Sequence, residues 1–299
     1  MQVKKTWKQV DGVILLDKPI GLTSNDALQK VRRLFSAAKG GHTGTLDPLA
    51  TGLLPLCFGE ATKFSADLLN ADKTYEAVIR LGIATDSGDA EGKVIARAAV
   101  NVTTSDIFRI LPQFTGPIQQ TPPMHSALKL NGRPLYELAR QGIVVERQPR
   151  AVTIYAIEML DFSGDSLTIR VACSKGTYIR VLAADIGQAL GCGAHLSALR
   201  RTVVADLDLA HAVTLEALQM LNESERAGRL QSVDALLHSL PVLTVEGEAA
   251  ERFRHGNPID LPEGFAGKIR VYADAHLIGV GEPGSDGRLW PKRLVQLAV

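Results

Sequence analysis

The sequence predicts an α+β protein with one large unit followed by a small β-rich one, and three observations point there. Strand-like and helix-like periodicities are interleaved along the chain. At 299 residues it exceeds the size at which a single core usually stops growing. After Pro241 the pattern changes to short strand-like segments, which places a boundary near residue 238.

Residues 12–16 form a short apolar run, a strand, that ends at Asp17-Lys18-Pro19. Thr23, Ser24 and Asn25 offer N-cap oxygens, and Ala27, Leu28, Val31, Leu34 and Phe35 follow at helical spacing. A glycine-rich connection, 39–59, leads to a second helix near 60–69. Tyr75, Ala77, Ile79 and Leu81 alternate as in a strand, and Asp86-Ser87-Gly88-Asp89 is a turn. An amphipathic helix over 105–114 precedes a proline-rich, irregular stretch, 116–150, in which only 135–141 reads as helix. Such an insertion is more often a binding loop than core. Strands over 152–160 and 167–173 follow, then a helix over 178–190 stopped by Gly191. Residues 215–221 and 226–237 read as helices. Beyond the boundary come a helix near 247–255 and strands over 268–273, 277–281 and 293–297.

The composition is that of an ordinary globular protein, 45% hydrophobic and 22% charged. A net charge of +1 leaves nucleic-acid binding open, because phosphate contact needs a local basic surface, not a basic total. Cys57, Cys173 and Cys192 are far apart, which predicts no disulfide framework and a reducing, cytoplasmic setting. The opening MQVKKTWKQVDG lacks the apolar stretch of a signal peptide, and no long apolar run is present to span a bilayer. Several chemistries find no support. There is no phosphate-binding G-x-x-x-x-G-K-[ST] loop, no H-E-x-x-H and no G-x-S-x-G, and the glycines at 40, 41 and 44 lack dinucleotide-binding spacing. A cofactor-free site without metal, built from ordinary side chains, is what remains.

The densest signal is Gly41-His42-Thr43-Gly44-Thr45-Leu46-Asp47-Pro48-Leu49-Ala50-Thr51-Gly52. Taken alone, Asp47-Pro48 also fits a helix start, with Asp at the N-cap and Pro at N1. His42 alone fits an ordinary loop histidine.

The string from Gly41 to Pro48 resembles the signature of the TruB family of tRNA pseudouridine synthases. Asp17-Lys18-Pro19-x-Gly21-x-Thr23-Ser24 is similar to the family's N-terminal motif, and Asp72-Lys73-x-Tyr75 to its tyrosine motif. Ser174-Lys175-Gly176-Thr177-Tyr178-Ile179-Arg180 resembles its C-terminal catalytic motif. Gly193-Ala194-His195-Leu196 and Leu199-Arg200-Arg201 follow in family order.

The resemblance implies a mixed, largely antiparallel sheet with surrounding helices and a thumb-like insertion, about 119–150. A catalytic domain, 1–237, would then be followed by a PUA-like RNA-binding domain, 238–299. It implies an isomerase that breaks the C1′–N1 bond of a uridine, turns the uracil and rebinds it through C5. The target would be position 55 in the T loop of tRNA, with no cofactor and no obligatory protein partner. Asp47 would be the single anion this chemistry needs, whether as nucleophile or as base toward a sugar proton. A glycosidase would instead need two carboxylates flanking the bond.

Tyr75 would stack on the target base and assist loss of the C5 proton. Arg180 would pair with Asp47 and keep it charged and oriented, with Asp89 on its other side. Tyr178 and Leu199 would wall the nucleoside pocket, and Lys18 would lie among the substrate-binding residues. His42 would fill the stack left by a flipped uridine. Lys129, Arg133 and Arg140, in an insertion that also carries His125, Arg147 and Arg150, would grip the T arm through phosphates. Three other readings stay open at this point: a non-catalytic RNA-folding factor, a guide-RNA-dependent enzyme of the same fold that needs partner proteins, and a hydrolytic glycosidase.

Overall fold

A computed structural model describes residues 6–126, 128–130 and 132–296. The described strands build one large sheet of ten, a five-stranded sheet near the C-terminus and two small hairpins. In the large sheet only two pairings are parallel, Gly12–Lys18 with Val213–Thr214 and Ala50–Phe58 with Ala194–Val204. The mixed, largely antiparallel α+β architecture is therefore present.

Thr23 caps the helix Ser24–Phe35 through a capping box with Asp26, a device worth about 1 kcal/mol. The helix buries Ala27, Leu28 and Val31, one stripe of its surface, against the apolar strand Gly12–Lys18 and its neighbours. The glycine-rich stretch read from sequence as a connection holds two strands, Gly40–His42 and Ala50–Phe58. The second is buried at every residue but Thr51, so its apolar residues run on without alternation and carry no period-two signal. Ala194–Val204 is the other strand the pattern hides. It lies between Ala50–Phe58 and Lys73–Leu81 at the middle of the sheet while carrying two adjacent arginines, Arg200 and Arg201.

Gly52 lets those strands meet. It sits at φ +99°, and a Cβ there would stand 2.3 Å from the carbonyl oxygen of Arg201. Gly52→Ala combines backbone strain with overpacking, on the order of 3 kcal/mol in all. A fall in Tm of roughly 5–10 °C is expected by calorimetry, and an unchanged Tm would show that the strands separate without cost.

The strand Gly116–Gln120 pairs with Arg150–Ser163 at the sheet edge, so the stretch expected to be irregular begins and ends inside the sheet. Between them lie the helix Leu135–Arg140 and a hairpin of Lys129–Leu130 with Arg133–Pro134. The expected helix over 226–237 is not continuous. It splits into Glu223–Ala227 and a 3-10 turn, Val233–Leu237, because Gln231 exchanges two backbone hydrogen bonds with Val13 of the first strand.

The C-terminal sheet, with the helix Gly247–Arg254, encloses its own core around Phe253, Ile269, Val271 and Leu289. Leu277 and Val280 on its other face pack with Phe64, Leu68, Val233 and Leu236 of the preceding unit. The strand expected over 293–297 lies earlier, Arg288–Leu294, and residue 297 is outside the described residues. Cys57, Cys173 and Cys192 are all buried free thiols. Burial pushes Cys57 up to about 12 and Cys173 to about 11, which suits packing rather than nucleophilic chemistry.

Candidate active site

Asp47 follows the strand Gly40–His42 in a loop that turns directly into the buried strand Ala50–Phe58. Asp47-Pro48 therefore starts no helix, and the capping interpretation of that pair fails. The N-terminal motif shapes this loop. Ser24 Oγ accepts from the Leu46 N–H at 2.7 Å and donates to the Leu46 carbonyl at 3.1 Å, while the Gly21 N–H donates to the Pro48 carbonyl at 2.8 Å. Lys18, fully buried, donates to the carbonyls of Pro19 and Leu22 at 2.9 and 2.7 Å. Sequence patterning found Ser24 only as a cap; its clamp on the residue before Asp47 is tertiary and leaves no periodic signal.

The Asp47 side chain is 46% exposed and pairs through Oδ2 with Nη2 of Arg180. Arg180 stands in the first turn of the helix Ile179–Ala189, its side chain only 8% exposed, and its Nη1 meets Oδ2 of Asp89 at 3.1 Å. Asp89 is held in turn by the Ser87 hydroxyl and the Glu91 N–H. One guanidinium thus bridges an inner, buried carboxylate and an outer one that reaches solvent. The fork geometry of arginine permits this and the point charge of lysine does not. The turn at Gly88, φ +76°, brings this loop against the Arg180 backbone, where a Cβ would stand 3.1 Å from its carbonyl oxygen.

Tyr75 is half-buried beside the same carboxylate, and burial raises its phenol above the ordinary value. Tyr75 and Leu199 both pack against two adjoining cores, which places them where the cores meet. Tyr178 is the N-cap of the Arg180 helix, and Gln120, nearly fully buried, accepts from its N–H at 2.9 Å and donates to its carbonyl at 3.3 Å. Gln120 is another residue that the sequence reading missed. The ammonium of Lys18 is pushed down to about 8 by burial, opposed by the nearby Asp47 charge. Burial and then the Arg201 charge lower His42, leaving a neutral, half-buried imidazole at the base of the loop.

The sequence-derived residues Asp47, Tyr75, Arg180, Asp89 and Lys18 therefore converge, with Tyr178, Leu199 and His42 around them. Arg133 and Arg140 are exposed, Arg133 donating to the Gln141 amide at 3.1 Å, and Arg147 is spent on the carbonyls of Val145 and Pro122. The Lys129 side chain is outside what is described. No group of three or more His, Cys, Asp or Glu able to hold a metal exists among the described residues, and no helix among them is long and apolar enough to cross a membrane.

Comparison with known proteins adds an independent line. Residues 32–179 match the family model described as TruB family pseudouridylate synthase, N terminal domain. Residues 180–241 match the tRNA pseudouridylate synthase B C-terminal domain, and 241–295 the C-terminal model of pseudouridine synthase II TruB. The chain is 74% identical over 298 residues to tRNA pseudouridine synthase B of Dechloromonas aromatica (strain RCB), covering 100% of both chains. It is 57% identical to tRNA pseudouridine synthase B of Aromatoleum aromaticum, over 98% of this chain and 96% of that one. Among solved structures, a Cbf5-Nop10-Gar1 complex matches with TM-score 0.70 and 29% identity, over 91% of this chain and 78% of the other. An H/ACA RNP bound to a substrate RNA containing 2'-deoxyuridine shares the fold at TM-score 0.73 and 24% identity, over 96% and 85%.

Proposed function

The chain belongs to the TruB family of tRNA pseudouridine synthases, and on that footing we propose that it isomerises the uridine at position 55 in the T loop, with Asp47 as catalytic carboxylate. The observation that carries the proposal is the ladder Asp89–Arg180–Asp47, in which only the outer carboxylate reaches solvent. Asp89 is committed to Arg180, Ser87 and the Glu91 N–H and is 6% exposed, so it is no second catalytic acid. A lone anion suits isomerisation by attack on the base or sugar, or by removal of a sugar proton. Hydrolysis by paired acids would need a second accessible carboxylate.

The target uridine is flipped out of its loop to bring C1′ to Asp47. It lies against Tyr75, with Leu199 and Tyr178 as walls and Lys18 behind the carboxylate. The neutral His42 ring occupies the stacking position left in the RNA. Stacking of this kind is worth about 1–3 kcal/mol per base. His42→Ala should therefore lower kcat/KM on a folded T arm by roughly 10-fold, and equal rates for the two proteins would remove His42 from this role.

Residues 1–237 act as the catalytic unit, with the insertion 119–150 gripping the T arm, and 238–299 as a PUA-like RNA-binding unit. Lys129, Arg133 and Arg140 neutralise phosphates. Replacing Arg133 and Arg140 together with alanine should weaken RNA binding and flatten its salt dependence by about 0.7–0.9 in log–log slope per lost phosphate contact. An unchanged slope in filter-binding titrations would place the RNA elsewhere. The enzyme works in the cytoplasm without cofactor or obligatory protein partner.

The test is tritium release from C5-labelled uridine in a T-arm transcript incubated with the purified chain alone. Release without free uracil is the expected result. Free uracil would mean hydrolysis, and no release without added proteins or guide RNA would mean a guided enzyme.

A further inference from the structure

Arg201 is the largest fully buried side chain of the molecule among the described residues, at 1% exposure. Its Nε donates to the Leu53 carbonyl at 2.8 Å, and its Nη2 has no hydrogen-bond partner. A buried guanidinium is costly unless a carboxylate pairs with it. Here burial pulls the guanidinium down from its ordinary value, and the Tyr75 phenol opposes that pull only in part. The two residues face each other directly across the antiparallel pair of Lys73–Leu81 and Ala194–Val204, on the same face of the sheet. The loop leading to Asp47 closes over the guanidinium, since a Cβ at Gly44 would stand 3.5 Å from Nη1. The cation is thus flanked from three sides: the neighbouring strand Lys73–Leu81, the backbone of Ala50–Phe58 and the catalytic loop.

We propose that Arg201 is a positioning residue for Tyr75, fixing the direction in which the phenol presents its hydroxyl to the flipped uridine. A guanidinium only donates, whereas a phenol oxygen both accepts and donates. An oxygen that accepts from Arg201 turns its own O–H away from the cation. A neutral neighbour would leave that rotor free. The same charge opposes the upward push that burial exerts on the phenol, while Cys173 and Asp47, the other ionisable groups facing it, push it further up. It also disfavours the charged forms of Lys18, Lys73 and His42.

This inference rests on the proposed role of Tyr75, and the experiment separates the two. Tyr75 ionisation is followed by phenolate absorbance as the signal lost in Tyr75→Phe, alongside kcat, KM and RNA affinity for Arg201→Gln and Arg201→Lys. In Arg201→Gln the phenol should ionise at least about one pH unit higher and kcat fall about 10–100-fold, with RNA affinity within about two-fold. Arg201→Lys keeps a cation on a shape without the fork. It should keep the ionisation near its original pH while recovering only part of kcat. An original kcat in Arg201→Lys, or a phenol whose ionisation ignores Arg201→Gln, overturns the proposal. So does a loss carried by KM with kcat intact. If Arg201→Gln does not fold, Arg201→Lys decides by the same readouts. An active Tyr75→Phe would sink the assignment of Tyr75 itself, whereas an inactive one beside an Arg201→Lys of original kcat sinks only the role of Arg201.

Discussion

Asp47→Asn is expected to abolish tritium release while leaving RNA binding intact. The substitution keeps the size of the side chain and an oxygen that accepts from Arg180, but removes the charge. Asp47 is nearly half exposed, so the fold does not depend on it. A solvent-facing ion pair contributes at most about 1 kcal/mol to stability. In the proposed mechanism catalysis depends on it entirely, because no other carboxylate in the ladder is accessible. Loss of a reacting group of this kind lowers kcat on the order of 10⁴-fold or more. The dissociation constant for a T-arm transcript should shift by less than about three-fold, under roughly 0.7 kcal/mol. Single-turnover rates beside binding titrations check both halves. Full tritium release in Asp47→Asn would mean that another group carries the chemistry.

The second large effect is expected at Asp89, which touches no substrate in this account. Asp89→Asn withdraws the buried counter-charge from Arg180, whose guanidinium is 8% exposed and cannot be rehydrated in place. Breaking a buried pair from one side costs about 3–5 kcal/mol, mostly because the remaining charge stays desolvated. The guanidinium then loses its inner anchor, and the carboxylate of Asp47 loses its fixed direction. A drop in kcat of about 100-fold is expected, consistent with the penalty for misplacing a reacting group by about 1 Å. It should come with a lowered denaturation midpoint that Asp47→Asn does not show. Denaturant titration of the two variants separates them. Equal stability in both would mean that Asp89 and Arg180 do not act as a buried pair.

Much of the site was legible before the fold was known. Asp47, Tyr75 and Arg180 lie in three separate segments, and the order of those segments along the chain resembles one family; the structure brings them together around one carboxylate. The helix Ser24–Phe35 announced itself through the N-cap oxygen of Thr23 and the helical spacing of Ala27, Leu28 and Val31, whose effects are local. What stayed hidden depends on long-range burial. The strand Ala50–Phe58 is covered on both faces, and Ala194–Val204 spends two arginines inside the sheet, one on Asp17 and one on Leu53 and Tyr75. Neither pattern resembles an alternating strand. Ser24, Gln120 and Arg201 act across 22, 58 and more than a hundred residues of chain, through hydrogen bonds that no local window contains. The break at 228–232 likewise follows from a bridge to Val13, not from its own sequence.

The most direct measurement is a crystal structure of this protein with a T-arm RNA carrying 5-fluorouridine at the target position. The uracil should lie outside the RNA stack against Tyr75, with the Asp47 carboxylate the nearest acid to its ribose C1′ and Arg180 still joined to both carboxylates. A nucleotide left stacked in its loop, or one whose sugar meets some other acid while Asp47 faces away, would contradict the account at its root.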